Sequence, residues 1–171
     1  DGEKSTYEEG ASYGISKASV VKKGDNAYLY IELQYDNDYN SISIIDLNNK
    51  SEKMEIQESF ADTALLNPDE FYLGNRIYTI STLGIEGRYT IANNGMPKLL
   101  ENYYNITTPI RLTTKIDIKG KNIDGINGKE LGDYNISTGA LLVPVGTDNE
   151  IFTDYTTSDG VIVRIPMQGA E

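Results

Sequence analysis

The stretch AYLYIELQY, residues 27–35, changes chemistry with a period of two. Ala27, Leu29, Ile31, Leu33 and Tyr35 fall on one parity, and Tyr28, Tyr30, Glu32 and Gln34 on the other. Successive side chains of an extended chain point to opposite faces of a sheet, so this pattern specifies a strand with two unlike faces. The period recurs in ITTPIRLTTKIDI (106–118), where Ile106, Thr108, Ile110, Leu112, Thr114, Ile116 and Ile118 share one parity. Read as one strand, that stretch is about 40 Å long, and Pro109, which lacks a donor, places it at an edge or at a change of partner.

Further strand candidates lie at 12–22, 41–47, 52–57, 76–83, 87–92, 140–145, 150–155 and 160–167. Turn signals separate several of them: KGDN (23–26), LGIEG (83–87) and SDG (158–160). Two segments carry helical signals. ESFADTALL (58–66) stops before Asn67-Pro68, and PKLLENY (97–103) opens with Pro97 at a plausible first helical position. GDNAYLYIEL…SISIIDLNN and GNRIYTIS…GRYTIANN are weakly alike, which reads as two hairpins of one sandwich. The expectation is an all-β chain: an antiparallel β-sandwich, Ig-like or transthyretin-like, of about 8–10 strands with one or two short helical turns. Residues 1–11 read as a flexible N-terminal segment and 12–171 as a single domain.

The missing residue types restrict the chemistry. The 171-residue chain has no histidine, cysteine or tryptophan. A Ser-His-Asp triad, a histidine-ligated zinc and thiol chemistry are therefore excluded. The net charge is −11, and residues 1–85 hold 15 acids against 7 bases. Such a surface repels phosphate backbones, so nucleic acid is not an expected partner. No apolar run approaches the ~20 residues of a spanning helix. Thirteen tyrosines and fifteen asparagines fit an exported bacterial β-domain. Together with a first residue that is Asp1, this sets the expectation of a secreted, cell-surface or periplasmic protein whose signal has been removed.

Three stretches resemble sites. KGKNIDGINGKELGD (119–133) places Asn122, Asp124, Asn127, Glu130 and Asp133 around glycines. Its lysines 119, 121 and 129 cancel its acids, and Gly120 and Leu131 occupy the first and twelfth positions of a calcium loop, so it reads as a solvated loop. DNDYN (36–40) is the better calcium candidate, because Asp36, Asp38 and Asn40 have the alternate spacing that lets side chains converge on one ion. Ser41 and Leu47 stand where such a motif has glycine and glutamate, so calcium is possible and no other cofactor is expected. Asp148, Asn149, Glu150 and Asp154 read as a hairpin tip. SVVK (19–22) matches S-x-x-K, but in a strand Ser19 and Lys22 point opposite ways.

Tyr28 and Tyr30, with Glu32 and Gln34, form the candidate ligand face: rings that stack on sugars beside groups that bond their hydroxyls. The segment GRYTIANNGMP…IRLTTKIDI (87–118) resembles the middle of Bacteroidetes fimbrillin-type pilin domains, in the order of a strand ending near AN, a Met-Pro, and an Arg…Lys-Ile-Asp strand. That resemblance implies a β-sandwich surface protein and transfers no functional residue. The leading expectation is a non-catalytic secreted or cell-surface sandwich that recognises a glycan or protein partner or serves in adhesion. A structural subunit of a bacterial surface fibre is the first alternative, and a histidine-free enzyme acting on glycosides through paired carboxylates is the second.

Overall fold

The computed structural model describes residues 14–35, 40–61, 66–77 and 82–167. The protein is all-β, an antiparallel β-sandwich, as the period of two requires. Four strands make the first sheet in sequential order: β1 (Gly14–Lys23), β2 (Asn26–Gln34), β3 (Asn40–Asp46) and β4 (Ser51–Ile56). The others are β5 (Ser59–Phe60), β6 (Phe71–Ile77), β7 (Leu83–Ile91), β8 (Pro97–Ile106), β9 (Leu112–Thr113), β10 (Ile118–Ile123), β11 (Glu130–Ile136), β12 (Leu141–Thr147), β13 (Phe152–Thr157) and β14 (Ile162–Pro166). They form a ten-stranded sheet in the order β11-β10-β14-β13-β12-β8-β7-β6-β5, with β9 also on β12.

The chain divides into two compact units. The first holds the described residues up to Phe71 together with Thr90–Lys98, and the second holds Tyr72–Tyr89 and the described residues from Leu99 onward. In the first unit, one face of the four-stranded sheet carries Val21, Tyr28, Tyr30, Ile42 and Ile44, all buried. The KGDN turn joins β1 to β2 with Gly24 at φ 62°, a backbone region that favours glycine. In the second unit, Ile136, Leu142, Tyr155 and Val163 form a core that Leu112, Ile118 and Ile165 help to close. Leu83 and Ile85 form a separate cluster with Ile106 and Ile110.

Four expectations need correction. Residues 106–118 are not one strand: β8 ends at Ile106 and β10 starts at Ile118. Thr107 and Thr108 bond to Gly84, and Ile110 N–H donates to the Thr108 carbonyl across the donor-less Pro109, so the chain bends there. The shared parity is thereby divided, with Ile106 and Ile110 going to one apolar cluster and Leu112 and Ile118 to another. Residues 97–103 are the start of β8, not a helix, and Pro97 occupies the first strand position, where a missing donor is tolerated. Among the described residues there is no helix at all: Ser59–Phe60 is strand, and 62–65 lie outside the described residues. LGIEG is the start of β7 and not a turn, because Leu83, Ile85 and Gly87 alternate inward with Gly84 and Glu86. KGDN and SDG are turns as expected, the latter with Gly160 at φ 82°.

Candidate functional site

Tyr28 and Tyr30 stand on the even parity of β2, but the rings are 2% and 0% exposed. The expectation of an exposed ring face is corrected. Both faces of β2 are covered over residues 30–33, and a tight turn at residues 93–95 takes up both hydroxyls. Tyr28 donates to the Asn93 carbonyl at 3.0 Å, and Tyr30 donates to the Gly95 carbonyl. Gly95 sits at φ 84° under the Tyr28 ring, where a Cβ would overlap ring carbons. Phe71 meets Tyr30 edge-on with centroids 6.5 Å apart, a favoured aromatic geometry, and Phe60 lies at the same distance. Burial holds the Tyr30 hydroxyl protonated well above the ordinary tyrosine range.

The same strand ends in polar chemistry. Glu32 is only 7% exposed, and its Oε1 accepts one hydrogen bond, from Asn40 Nδ2 at 3.3 Å. Lys17 is its cross-strand partner on β1 and holds its Nζ 4.6 Å from the Phe60 centroid. Gln34 follows, exposed and opposite Asn40. Sheet register thus brings Glu32, Gln34 and Asn40 together. Asp36 and Asp38 lie outside the described residues. Among the described residues, no three acidic side chains are grouped to hold a metal.

A charged cluster lies in the second unit. Direct register places Asn105, Gly146, Asp154, Arg164, Lys121 and Asp133 in one row across β8, β12, β13, β14, β10 and β11. Directly opposed residues share a face, so the row is a transverse polar stripe. At its centre Asp154 is fully buried and accepts two bonds from Arg164, at 2.8 and 2.9 Å. Tyr103 donates to the same carboxylate at 3.0 Å, and the Asn127 N–H approaches it at 3.4 Å. The Arg164 guanidinium also stacks 3.7 Å from the Phe152 ring centroid. Gly146 leaves the space that the Tyr103 ring occupies.

Electrostatics fix the protonation states of this cluster. Burial first, and the Asp154 carboxylate second, keep the Tyr103 hydroxyl protonated well above its ordinary range. Hydrogen bonding to Asp154 raises Arg164 further from deprotonation. Asp154 accepts from Arg164, Tyr103 and Asn127, so the cluster ties β13, β14 and β8 together. Removing one member of such a pair is costly because the other is left buried and charged. The sequence expectation of Asp154 at a hairpin tip is corrected, because it lies inside β13. The available signal was a lone acid in FTDYTT and a lone base in IVRIP, each inside a mostly uncharged strand that would have to supply it with a partner.

Several other carboxylates organise turns. Asp148 Oδ1 accepts the N–H groups of Glu150, Ile151 and Phe152, and so builds the β12–β13 tip. Asp46 does the same for Asn48 and Asn49. Stretch 119–133 is a hairpin of β10 and β11, with its loop reduced to 124–129. Asp124 Oδ1 accepts the Lys129 N–H at 2.7 Å and so closes that loop. Ser19 is buried and Lys22 exposed on β1, pointing apart as the strand reading requires. Among the described residues, no helix is long and apolar enough to cross a membrane. Comparison with known protein families, with curated proteins and with solved structures finds no match to this chain.

Proposed function

We propose that the protein is a non-catalytic β-sandwich domain, secreted or displayed at a cell surface, that works by recognising a hydroxyl-rich ligand such as a glycan, or by adhesion. The observation that carries this reading is Glu32, whose carboxylate is nearly buried yet has one hydrogen bond among the described residues. A buried carboxylate oxygen gains from a further donor, and sugar hydroxyls are donors of that kind. Gln34 and Asn40 add amides beside it, and a rigid sheet holds the three in register. The absence of histidine and cysteine from the sequence, and the use of Asp154, Asp148 and Asp46 inside the fold, support recognition over catalysis.

A glycan array followed by calorimetry tests this. A binder whose affinity falls at least tenfold in Glu32→Gln supports the reading, and an array with no binder, or one indifferent to Glu32 and Gln34, overturns it. Calcium at Asp36, Asp38 and Asn40 is part of the same proposal, and a genuine site raises the melting temperature on titration. A second reading, a fibre subunit, is favoured by the edge strand β1, where Ile15 and Val20 are 64% and 60% exposed. Light scattering that shows only monomer at high concentration removes it.

A further inference from the structure

We propose that Asn127-Gly128 is a site of spontaneous deamidation, and that this reaction is a one-way release of loop 124–129 from the buried Asp154 cluster. The reaction needs an asparagine followed by a residue with no side chain to obstruct the ring closure. The Gly128 amide nitrogen, having lost its proton to hydroxide, attacks Cγ of Asn127. The N–Cγ bond forms, the Cγ–Nδ2 bond breaks, and the nitrogen leaves as ammonia. Water then opens the five-membered imide, giving aspartate or, through the other carbonyl, isoaspartate with an added backbone carbon. No oxidant, reductant or cofactor takes part.

Two Asn-Gly steps lie among the described residues, and the fold treats them differently. At Asn94-Gly95 the Asn94 side-chain oxygen is held by the Met96 N–H at 3.1 Å, and the Gly95 N–H is held by the Ala92 carbonyl at 2.9 Å. The Tyr28 ring closes over Gly95, so this turn cannot open without uncovering a buried aromatic. At Asn127-Gly128 the asparagine is exposed, with φ 55°. One backbone bond, from Gly128 N–H to the Gly125 carbonyl at 2.9 Å, restrains the attacking nitrogen, and it belongs to a surface turn that opens by local fluctuation.

The position gives the modification its effect. Asn127 Nδ2 donates to Glu101 at 3.4 Å, and the Asn127 N–H faces both Asp154 and the Tyr103 hydroxyl. After reaction a carboxylate faces Glu101 where a donor stood, within reach of Asp124 on the same loop. Like charges at that separation repel, and loop 124–129, where Lys129 balances Asp124, becomes acidic. Isoaspartate also lengthens the backbone between two residues whose N–H groups are both placed.

The experiment is peptide mapping by mass spectrometry of the intact folded protein held in mildly alkaline buffer, beside the same protein in urea. The proposal expects conversion at Asn127 several-fold faster than at Asn94 when folded, and similar rates at both when unfolded. It also expects faster amide exchange across 124–129 in the aged protein and in Asn127→Asp, and neither change on ageing Asn127→Gln. Equal folded rates at the two steps, an Asn127 that stays amidated while the unfolded chain reacts, or an aged loop with unchanged exchange overturns it.

Discussion

The two units solve one packing problem in different ways. Each buries a tyrosine ring against a glycine, Tyr28 over Gly95 in the first and Tyr103 over Gly146 in the second. In the first unit the hydroxyls of Tyr28 and Tyr30 end on backbone carbonyls of a turn, so the arrangement is neutral. In the second, Tyr103 ends on a fully buried carboxylate that Arg164 must neutralise. The neutral design needs only the turn to be shaped correctly. The charged design depends on a partner from another strand, so it is more selective for register and more fragile when broken.

The sharpest way to break the comparison is Arg164→Ala, which leaves Asp154 buried without its counter-charge. The expected loss is about 3–5 kcal/mol in denaturant unfolding. Replacing both residues by apolar ones of similar size is expected to recover most of it, since a buried pair is worth little over good packing. Gly95→Ala is the matching test of the neutral unit. Overpacking costs about 1–3 kcal/mol and a left-handed alanine adds about 1 kcal/mol, so the melting temperature falls clearly but less than for Arg164→Ala.

Tyr30→Phe follows, leaving the Gly95 carbonyl buried without its donor at about 1–3 kcal/mol. An effect smaller than that of Tyr103→Phe would show that the turn finds another donor and the charged centre does not.

Alkaline titration is milder and affects both units. Tyr30, Tyr103 and Tyr155 all have hydroxyls raised by burial above the ordinary value of 10.0. A raised folded-state value means the stabilisation is complete below pH 10 and is lost progressively above it, as unfolded tyrosines ionise and folded ones do not. Circular dichroism across pH 8–12 is expected to show stability declining from about pH 10, less steeply in Tyr103→Phe. The smallest effect is expected at the outer end of the polar row. Lys121 and Asp133 pair at 2.6 Å on the surface, so Lys121→Ala changes stability little, and added salt erases the difference.

Much of this was legible in the order of residues. The period of two located β1, β2, β3, β12, β13 and β14 to within a few positions, because each has a face to cover. It failed where that condition is absent. Residues 130–133 of β11 are all exposed, so ELGDYNI carries no parity and reads as a loop. Strand β8 was obscured by Pro97 and by Leu99-Leu100, adjacent leucines that suit a helix as well as a hairpin. Parity also separates the two sides of β2 but does not reveal that both are covered, with Tyr28 and Tyr30 buried on one side and Ile31 and Leu33 on the other. The Asp154–Arg164 centre depends on registers between strands, which no local pattern encodes.

The position of β14 has a consequence in time. It is the last described strand in the chain, yet in the ten-stranded sheet it lies between β10 and β13, and β10 reaches the rest of that sheet through it. A ribosome delivers residues 118–136 before 162–166, so the β10–β11 hairpin emerges with the β10 edge still open and waits for a strand not yet made. During that interval an unpaired edge with Ile118, Ile123 and Ile136 uncovered is open to mispairing with neighbouring chains. The step that docks β14 therefore covers the inner edge of β10 and brings Arg164 to Asp154 together.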